Sequence, residues 1–69
     1  MAVARVTEIT STSPTSFEDA IQKGLERATQ TLRNIEGAWV KEMEVRMRDN
    51  EITDYKVNLK VTFVLEDPS

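Results

Sequence analysis

The side chains that most often perform catalysis are scarce in this 69-residue chain, which contains no cysteine and no histidine. Without them there is no recognisable pair of nucleophile and base. The two glycines are far apart, which excludes a glycine-rich loop that holds a phosphate. Glu42 and Glu44 share a predicted strand face with Arg46 and Arg48, a pattern that favours an ion-pair ladder over general acid–base catalysis. The composition therefore indicates a protein that is not an enzyme.

Trp39, the single tryptophan, is the most informative candidate for a binding residue. Its spacing on a predicted strand places it on one face with Met43, Val45 and Met47. If the hairpin loop that follows has an odd number of residues, this stripe packs beneath a helix; if the loop has only two residues, the stripe faces away from it. An exposed stripe would indicate a surface for a partner or a ligand. Core packing, intersubunit packing and ligand stacking are all open to Trp39 on this reasoning.

The segment Asp49-Asn50-Glu51 offers oxygen atoms of the kind that calcium accepts as ligands. It lacks the regular spacing of a calcium-binding loop between two helices, and Asp-Asn is typical of turns. A turn between two strands is therefore favoured, and the sequence predicts no metal site.

A long alternating segment, residues 52–65, predicts the strand around which the fold is organised. Its apolar side chains, from Tyr55 to Leu65, fall on one parity, and its polar side chains, from Asp54 to Thr62, fall on the other. Such a strand has one apolar face, and that face must be covered by another element.

Residues 16–35 predict the helix that covers this strand. Thr15 or Ser16 can cap its start, and Gly37 stands where a glycine that stops a helix is expected. Gly24 on the apolar stripe either allows another element to come close or is simply tolerated. The stripe at helical period comprises Phe17, Ala20, Ile21, Gly24, Leu25, Ala28, Leu32 and Ile35.

Two further strands, residues 3–11 and 38–48, complete the prediction, and a turn at Asp49-Asn50 joins the second of them to the long strand. The order is therefore β-α-β-β. Placing the most apolar strand in the centre gives an α+β fold in which a three-stranded antiparallel sheet, in order 1-3-2, wraps around one helix. We expect residues 1–69 to form a single domain with a polar tail from residue 66.

Size and charge limit the partners of such a domain. A chain this short is marginally stable alone, and it has neither cysteine for disulfides nor histidine for metal, so we predict self-association. The net charge of −3 argues against nucleic acid as a partner. No apolar run approaches the length of a membrane span and no signal pattern is present, so we expect no membrane partner and a cytoplasmic location.

Six short segments, which together extend over nearly the whole chain, carry a more specific signal. They are Thr12-Ser13-Pro14, Phe17-Glu18-x-Ala20-Ile21, Leu25-x-Arg27-Ala28-x-x-Thr31-Leu32-Arg33-Asn34, Val40-Lys41-Glu42, Tyr55-Lys56-Val57 and Phe63-Val64-Leu65-Glu66-Asp67. Together these segments resemble the dodecin family. The resemblance implies a β-α-β-β subunit whose strands wrap the helix, and a hollow homododecamer.

The resemblance also implies that the protein binds flavins, for storage and photoprotection rather than catalysis. In dodecins, isoalloxazine rings stack between tryptophans of two subunits, and a glutamine bonds the ring edge. Here Gly37 stands at the tryptophan position and Lys56 at the glutamine position, while Glu44 and Val64 occupy two further pocket positions. Trp39 shares a face with Gly37 if no bulge intervenes, so its indole can take over the stacking. We expect riboflavin or FMN to bind more weakly or in an altered pose.

Other dodecins suggest other ligands. Some bind coenzyme A at a surface between subunits, and Arg27, Thr31 and Arg33 match those positions, although they fit simple surface charges equally well. Some lack flavin or bind calcium, which gives the alternative of a flavin-free structural or calcium-binding dodecin. Our first prediction is a dodecameric flavin-binding protein. Its candidate site residues are Gly37, Trp39, Glu44 and Lys56.

Overall fold

The computed structural model describes residues 3–65, so the predicted polar tail lies outside the described residues. The elements in chain order are β1 (Ala4–Ser13), α1 (Phe17–Ala28), β2 (Ile35–Arg48) and β3 (Glu51–Val64). β3 lies between β1 and β2 and pairs antiparallel with both. The predicted β-α-β-β order and the 1-3-2 sheet are confirmed. Within residues 3–65, no helix is long and apolar enough to span a bilayer.

α1 begins where the sequence predicts, with Ser16 as its N-cap. The Ser16 hydroxyl oxygen accepts a 2.9 Å hydrogen bond from the backbone N–H of Asp19. The Asp19 carboxylate does not complete a capping box with Ser16. Its Oδ2 instead accepts a 2.6 Å hydrogen bond from the hydroxyl of buried Ser13. This second bond fixes the first turn of α1 to the end of β1.

The predicted extension of the helix to Ile35 is wrong, because α1 ends at Ala28. Thr29 is the C-cap, and its hydroxyl donates a 2.6 Å hydrogen bond to the carbonyl oxygen of Glu26. A threonine that bonds the local backbone in this way competes with helix continuation, and Thr31 is a further poor helix former. Local propensity therefore ends the helix although the apolar spacing continues.

The segment after α1 turns at Asn34, whose φ of 61° lies in the left-handed region, and enters β2 at Ile35. Gly37 consequently lies inside β2, and its predicted role as the end of the helix is wrong. Leu32 and Ile35 still pack against the buried core. The apolar spacing thus identified two residues that pack on the core but assigned them to the wrong element.

β2 and β3 are joined by the predicted two-residue turn, because Arg48 pairs directly with Glu51. Asp49 and Asn50 have φ angles of 53° and 64°, as a type I′ turn requires. The segment that offered oxygen atoms for calcium is therefore the turn of a hairpin.

The sheet has two faces of different character. We call the face covered by α1 the helix-side face; its centre is formed by Val57, Leu59 and Val61 of β3, all fully buried. We call the opposite face the outer face. On β3 the outer face carries Lys56, Asn58, Lys60 and Thr62.

Gly24 lets α1 approach the sheet closely. A Cβ atom at this position would lie 2.9 Å from the Cβ of Ser11 and 3.4 Å from a methyl carbon of Leu59. Close packing against a strand is therefore the correct interpretation of this glycine. At the start of the helix, Phe17 meets Tyr55 edge to face, with ring centroids 5.1 Å apart. These contacts place α1 over β3 from Tyr55 onward.

Three register shifts change which side chains of β2 and β3 share a face. Glu36 and Lys41 are the extra residues in β2, and Thr53 is the extra residue in β3. Each shift inserts one unpaired residue and so changes the face that the following residues occupy relative to strict alternation.

Candidate functional site

Trp39 lies on the outer face, directly opposite Lys60 of β3. Its side chain is 64% exposed, so packing of Trp39 in the core beneath the helix is wrong for the subunit. The two-residue hairpin turn predicts this position, and the pairing is kept because the extra residues Thr53 of β3 and Lys41 of β2 offset each other between the turn and Trp39. The Lys60 Nζ lies 5.5 Å from the centroid of the indole ring, within the range of a cation–π contact.

The predicted apolar stripe that contains Trp39 is wrong, because a bulge divides it. Trp39 pairs with Lys60 of the outer face, whereas Met43 pairs with Val57 of the helix-side face. The extra residue between them is Lys41, which shifts the alternation by one position. Trp39 is therefore on the opposite face from the other three members of the stripe, which are Met43, Val45 and Met47.

The helix-side face continues beyond α1 as an exposed apolar surface, which we call the hairpin patch. The 12 residues of α1 span about 18 Å, whereas the 14 residues of β3 span about 46 Å. The bulge at Thr53 turns Ile52 toward this surface, opposite Met47. The hairpin patch consists of Met43, Val45, Met47 and Ile52, which are 54, 40, 59 and 50% exposed.

Gly37 provides open space beside Trp39. Gly37 pairs with Thr62 and Trp39 pairs with Lys60 without a register shift between them, so both lie on the outer face. A Cβ atom at position 37 would meet no atom within 4 Å, and the φ of Gly37 is not positive. Since the backbone does not require glycine here, what this residue supplies is room next to the indole.

A second group of outer-face side chains is polar. The Lys56 Nζ lies 3.7 Å from a carboxylate oxygen of Glu44. The side-chain oxygen of Asn58 accepts a 2.6 Å hydrogen bond from Thr10, and its amide nitrogen donates a 3.1 Å bond to Glu42. The residues of this group on β2 and β3 line an open groove of about 440 Å³.

Lys41 separates the polar group from Trp39. As the bulge residue of β2 it extends across β3, and its Nζ lies 3.6 Å from the carboxylate of Glu8 on β1. Glu8 is the β1 partner of Lys60, so this ion pair spans the sheet beside the Trp39–Lys60 contact. Both side chains are about half exposed, 40% for Lys41 and 45% for Glu8.

The four predicted site residues all lie on the outer face, but one subunit does not bring them into a single pocket. Lys60, which is opposite Trp39, and Lys56, which is opposite Glu44, are about 13 Å apart along β3. The predicted residues therefore form two groups. Gly37 and Trp39 are the first group, and Glu44 and Lys56 are the second.

Sequence reasoning missed three charged residues that shape this face: Lys60, Lys41 and Glu8. The alternation of β3 places Lys60 on the polar face, so the pairing of Lys60 with Trp39 could have been predicted from the sequence. No residue type marks Lys41 as a bulge, because a lysine fits a regular strand equally well. The contact of Lys41 with Glu8 therefore had no signal in the sequence.

The residues that the resemblance suggested for coenzyme A lie along two grooves. Arg27 and Thr31 line one of about 370 Å³ beside Ile9 of β1. Thr31 and Arg33 line another of about 250 Å³ beside Phe63 of β3. Arg33 follows the end of α1, so the expected placement of both arginines on one helix is wrong.

The subunit thus combines an exposed indole on one face of its sheet with an uncovered apolar patch on the other, which is typical of proteins that self-associate. The family model described as Dodecin matches residues 3–66. This chain belongs to the dodecin family, as its sequence predicts.

Similar proteins agree in both sequence and fold. A dodecin of Thermus thermophilus is 37% identical over 65 residues, which are 94% of each chain. The dodecin of Streptomyces davaonensis has a TM-score of 0.91 at 38% identity, covering 96% of this chain and 97% of its own. The calcium dodecin of Mycobacterium tuberculosis, described with a novel calcium-binding site, has a TM-score of 0.81 at 30% identity over 97% and 96% of the two chains.

Proposed function

We propose that this protein is a homododecameric flavin-binding protein that stores and protects riboflavin or FMN without catalysing a reaction. The observation that carries the proposal is Trp39, an exposed indole with the open space of Gly37 beside it. Membership of the dodecin family supports the assembly. The absence of cysteine and histidine from the chain supports binding without turnover.

Trp39 offers a flat surface on which an isoalloxazine ring can stack in an offset arrangement. A side chain at position 37 would extend into the adjacent space, and glycine leaves that space free. Stacking on the indole would also quench the excited state of the bound flavin. This quenching limits photochemistry and is the physical basis of the protective role.

Lys56 would bond the edge of the ring rather than stack on it. Its ammonium group has donors and no acceptor, so it can bond a flavin carbonyl oxygen but cannot accept a bond from the ring N–H. In the subunit this ammonium group is held near Glu44, at 3.7 Å. Because Lys56 lies about 13 Å along β3 from the partner of Trp39, a ring that contacts both groups would lie between two copies of the chain.

The hairpin patch supports self-association. Four neighbouring apolar side chains with exposures between 40 and 59% form a continuous surface that water covers poorly. A chain of this size also gains stability from contacts with further copies, because it buries little apolar area alone. We expect the hairpin patch to lie in a contact between subunits.

A titration of riboflavin fluorescence tests the flavin site. The unmodified protein should quench riboflavin, and Trp39→Ala should abolish the quenching and weaken binding about two- to tenfold, the range of an aromatic stacking contact. Trp39→Phe should keep most of the affinity but lose the quenching, because a phenyl ring stacks but is a poorer electron donor than indole. An unchanged dissociation constant in Trp39→Ala would rule out stacking by this residue.

Native mass measurement with gel filtration tests the assembly. The unmodified protein should have the mass of twelve subunits, and Met47→Lys should shift it toward smaller species by placing a charge in the hairpin patch. The matched control is Arg46→Ala, which changes the neighbouring residue on the outer face and should leave this contact intact. A stably folded monomer of the unmodified protein would contradict the proposed assembly.

Calcium binding is the second candidate, favoured by the likeness to a calcium dodecin. Within residues 3–65, no group of three or more acidic, histidine or cysteine side chains is placed to hold a metal ion. A calcium site built from these residues would therefore need carboxylates from a second copy. Calcium binding by calorimetry, in a colourless protein that fails to quench riboflavin, would favour this alternative.

A further inference from the structure

Lys60 is the charged residue in contact with the proposed stacking platform, since its Nζ lies 5.5 Å from the centre of the Trp39 ring. We propose that Lys60 is a specificity-determining residue that makes the site prefer phosphorylated flavin, FMN, over neutral riboflavin. The inference rests on the proposed flavin site at Trp39. It adds the class of ligand that the site selects and the side chain that selects it.

Lys60 differs from the other lysines of the outer face in having no carboxylate partner. Lys41 pairs with Glu8 at 3.6 Å, and Lys56 pairs with Glu44 at 3.7 Å. Lys60 has no acidic group within ion-pair distance among residues 3–65, and its contact there is with the indole. Its charge is therefore available to an anionic ligand.

The strand register explains why Lys60 is left without a partner. Glu8 lies directly opposite Lys60 on β1 and would be its natural cross-strand partner. The bulge in β2 instead brings Lys41 across the sheet to this carboxylate. Of the carboxylates near Trp39 on this face, Glu8 is paired with Lys41 and Glu42 accepts a hydrogen bond from Asn58, so the ammonium group of Lys60 remains without a carboxylate partner.

The chemistry of the two flavins makes this local charge selective. Riboflavin and FMN share the same ring, and FMN adds a phosphate at the end of its ribityl chain. A ring stacked on the indole face that Lys60 does not cover leaves that chain free to bend toward the flexible side chain of Lys60. A lysine ammonium group binds phosphate as a point charge and does not need a fixed geometry. The neutral hydroxyl at the same position in riboflavin gains much less from it.

Parallel titrations with riboflavin and FMN test the proposal. The unmodified protein should bind FMN about two- to fivefold more tightly than riboflavin, the range of an exposed ion pair. Lys60→Met should remove this preference, so that the two flavins bind with similar dissociation constants, and Lys60→Arg should retain it. Added sodium chloride should weaken the binding of FMN and not that of riboflavin, because salt screens the charge contact.

Lys56→Met is the matched control, because Lys56 is placed to bond the ring that both ligands share. It should weaken the two flavins alike, and Lys23→Met on the exposed side of α1 should change neither. An FMN preference that survives in Lys60→Met, or an equal loss of both flavins in that variant, would overturn the role of Lys60. Failure of the unmodified protein to bind either flavin would instead overturn the proposed function.

Discussion

The two faces of the sheet use the same three strands in opposite ways. On the helix-side face, Val57, Leu59 and Val61 are completely buried, together with Ala20 of α1. On the outer face, Trp39 is largely exposed, and charged side chains pair with one another in water. One face therefore holds the subunit together, and the other face leaves its single tryptophan exposed.

The bulge at Lys41 keeps this division intact in β2 beyond Trp39. Under strict alternation from Trp39, Met43 would lie on the outer face and Glu44 would lie on the helix-side face. The extra residue, Lys41, reverses both positions. It sends Met43 to the hairpin patch and Glu44 to the outer face, opposite Lys56.

The largest loss of stability is expected from a substitution in the core of the helix-side face. Leu59→Ala removes a fully buried side chain, so we expect the free energy of unfolding to fall by about 2–5 kcal/mol. The control is the adjacent outer-face residue: Asn58→Ala removes exposed hydrogen bonds and should cost about 0.5–1.5 kcal/mol. Urea unfolding at one fixed protein concentration measures both, since association contributes to stability. Equal losses would contradict the contrast between the faces.

The helix-side face was largely predictable, because burial leaves a periodic signal in the sequence. The alternation of β3 identified its buried residues, and the Asp49-Asn50 turn fixed the hairpin, since both residues accept a positive φ. The end of α1 was not predictable from that signal. Leu32 and Ile35 continue the apolar spacing, yet the hydrogen bond from Thr29 to the last turn belongs to local backbone chemistry that apolar periodicity ignores.

Smaller changes in stability are expected from alanine substitutions of the two glycines, which lie on opposite sides of the sheet. Gly24→Ala adds a Cβ atom 2.9 Å from the Cβ of Ser11, so the helix and β1 must move apart. Overpacking should outweigh the better helix propensity of alanine and leave a net loss of about 1 kcal/mol in unfolding free energy. Gly37→Ala meets open space and should change stability by less than about 0.5 kcal/mol. Thermal unfolding of both variants measures the difference, and a stabilising Gly24→Ala would show that the close approach is relaxed.

The outer face was predictable only in part, because its geometry depends on where the strands lose register. The turn length correctly placed Trp39 away from the helix, once the two-residue turn was known. The same alternation wrongly kept Met43 on the face of Trp39. The extra residue of a bulge has no characteristic residue type. The contacts of Lys41 with Glu8 and of Lys60 with the indole therefore depend on how the strands pair, which the sequence of one strand alone does not reveal.

The smallest effect on stability is expected from Lys41→Gln, which removes the ion pair with Glu8. Both side chains are about half exposed, so the cost should be at most about 0.5 kcal/mol and should disappear at high salt. For the proposed flavin site, the expected consequence is larger than for the fold. Glu8 loses its partner, and the nearest cation in the register is Lys60, which should leave the indole for this carboxylate.

The proposed preference for FMN provides a direct measure of this competition. Lys41→Gln should reduce the preference toward that of Lys60→Met, because Lys60 is then held by Glu8 and not by a phosphate. Adding Glu8→Gln to the same protein removes the competing carboxylate and should restore the preference. If Lys41→Gln keeps the full preference for FMN, then Glu8 does not compete for Lys60, and the bulge at Lys41 shapes the strand without controlling the charge beside Trp39.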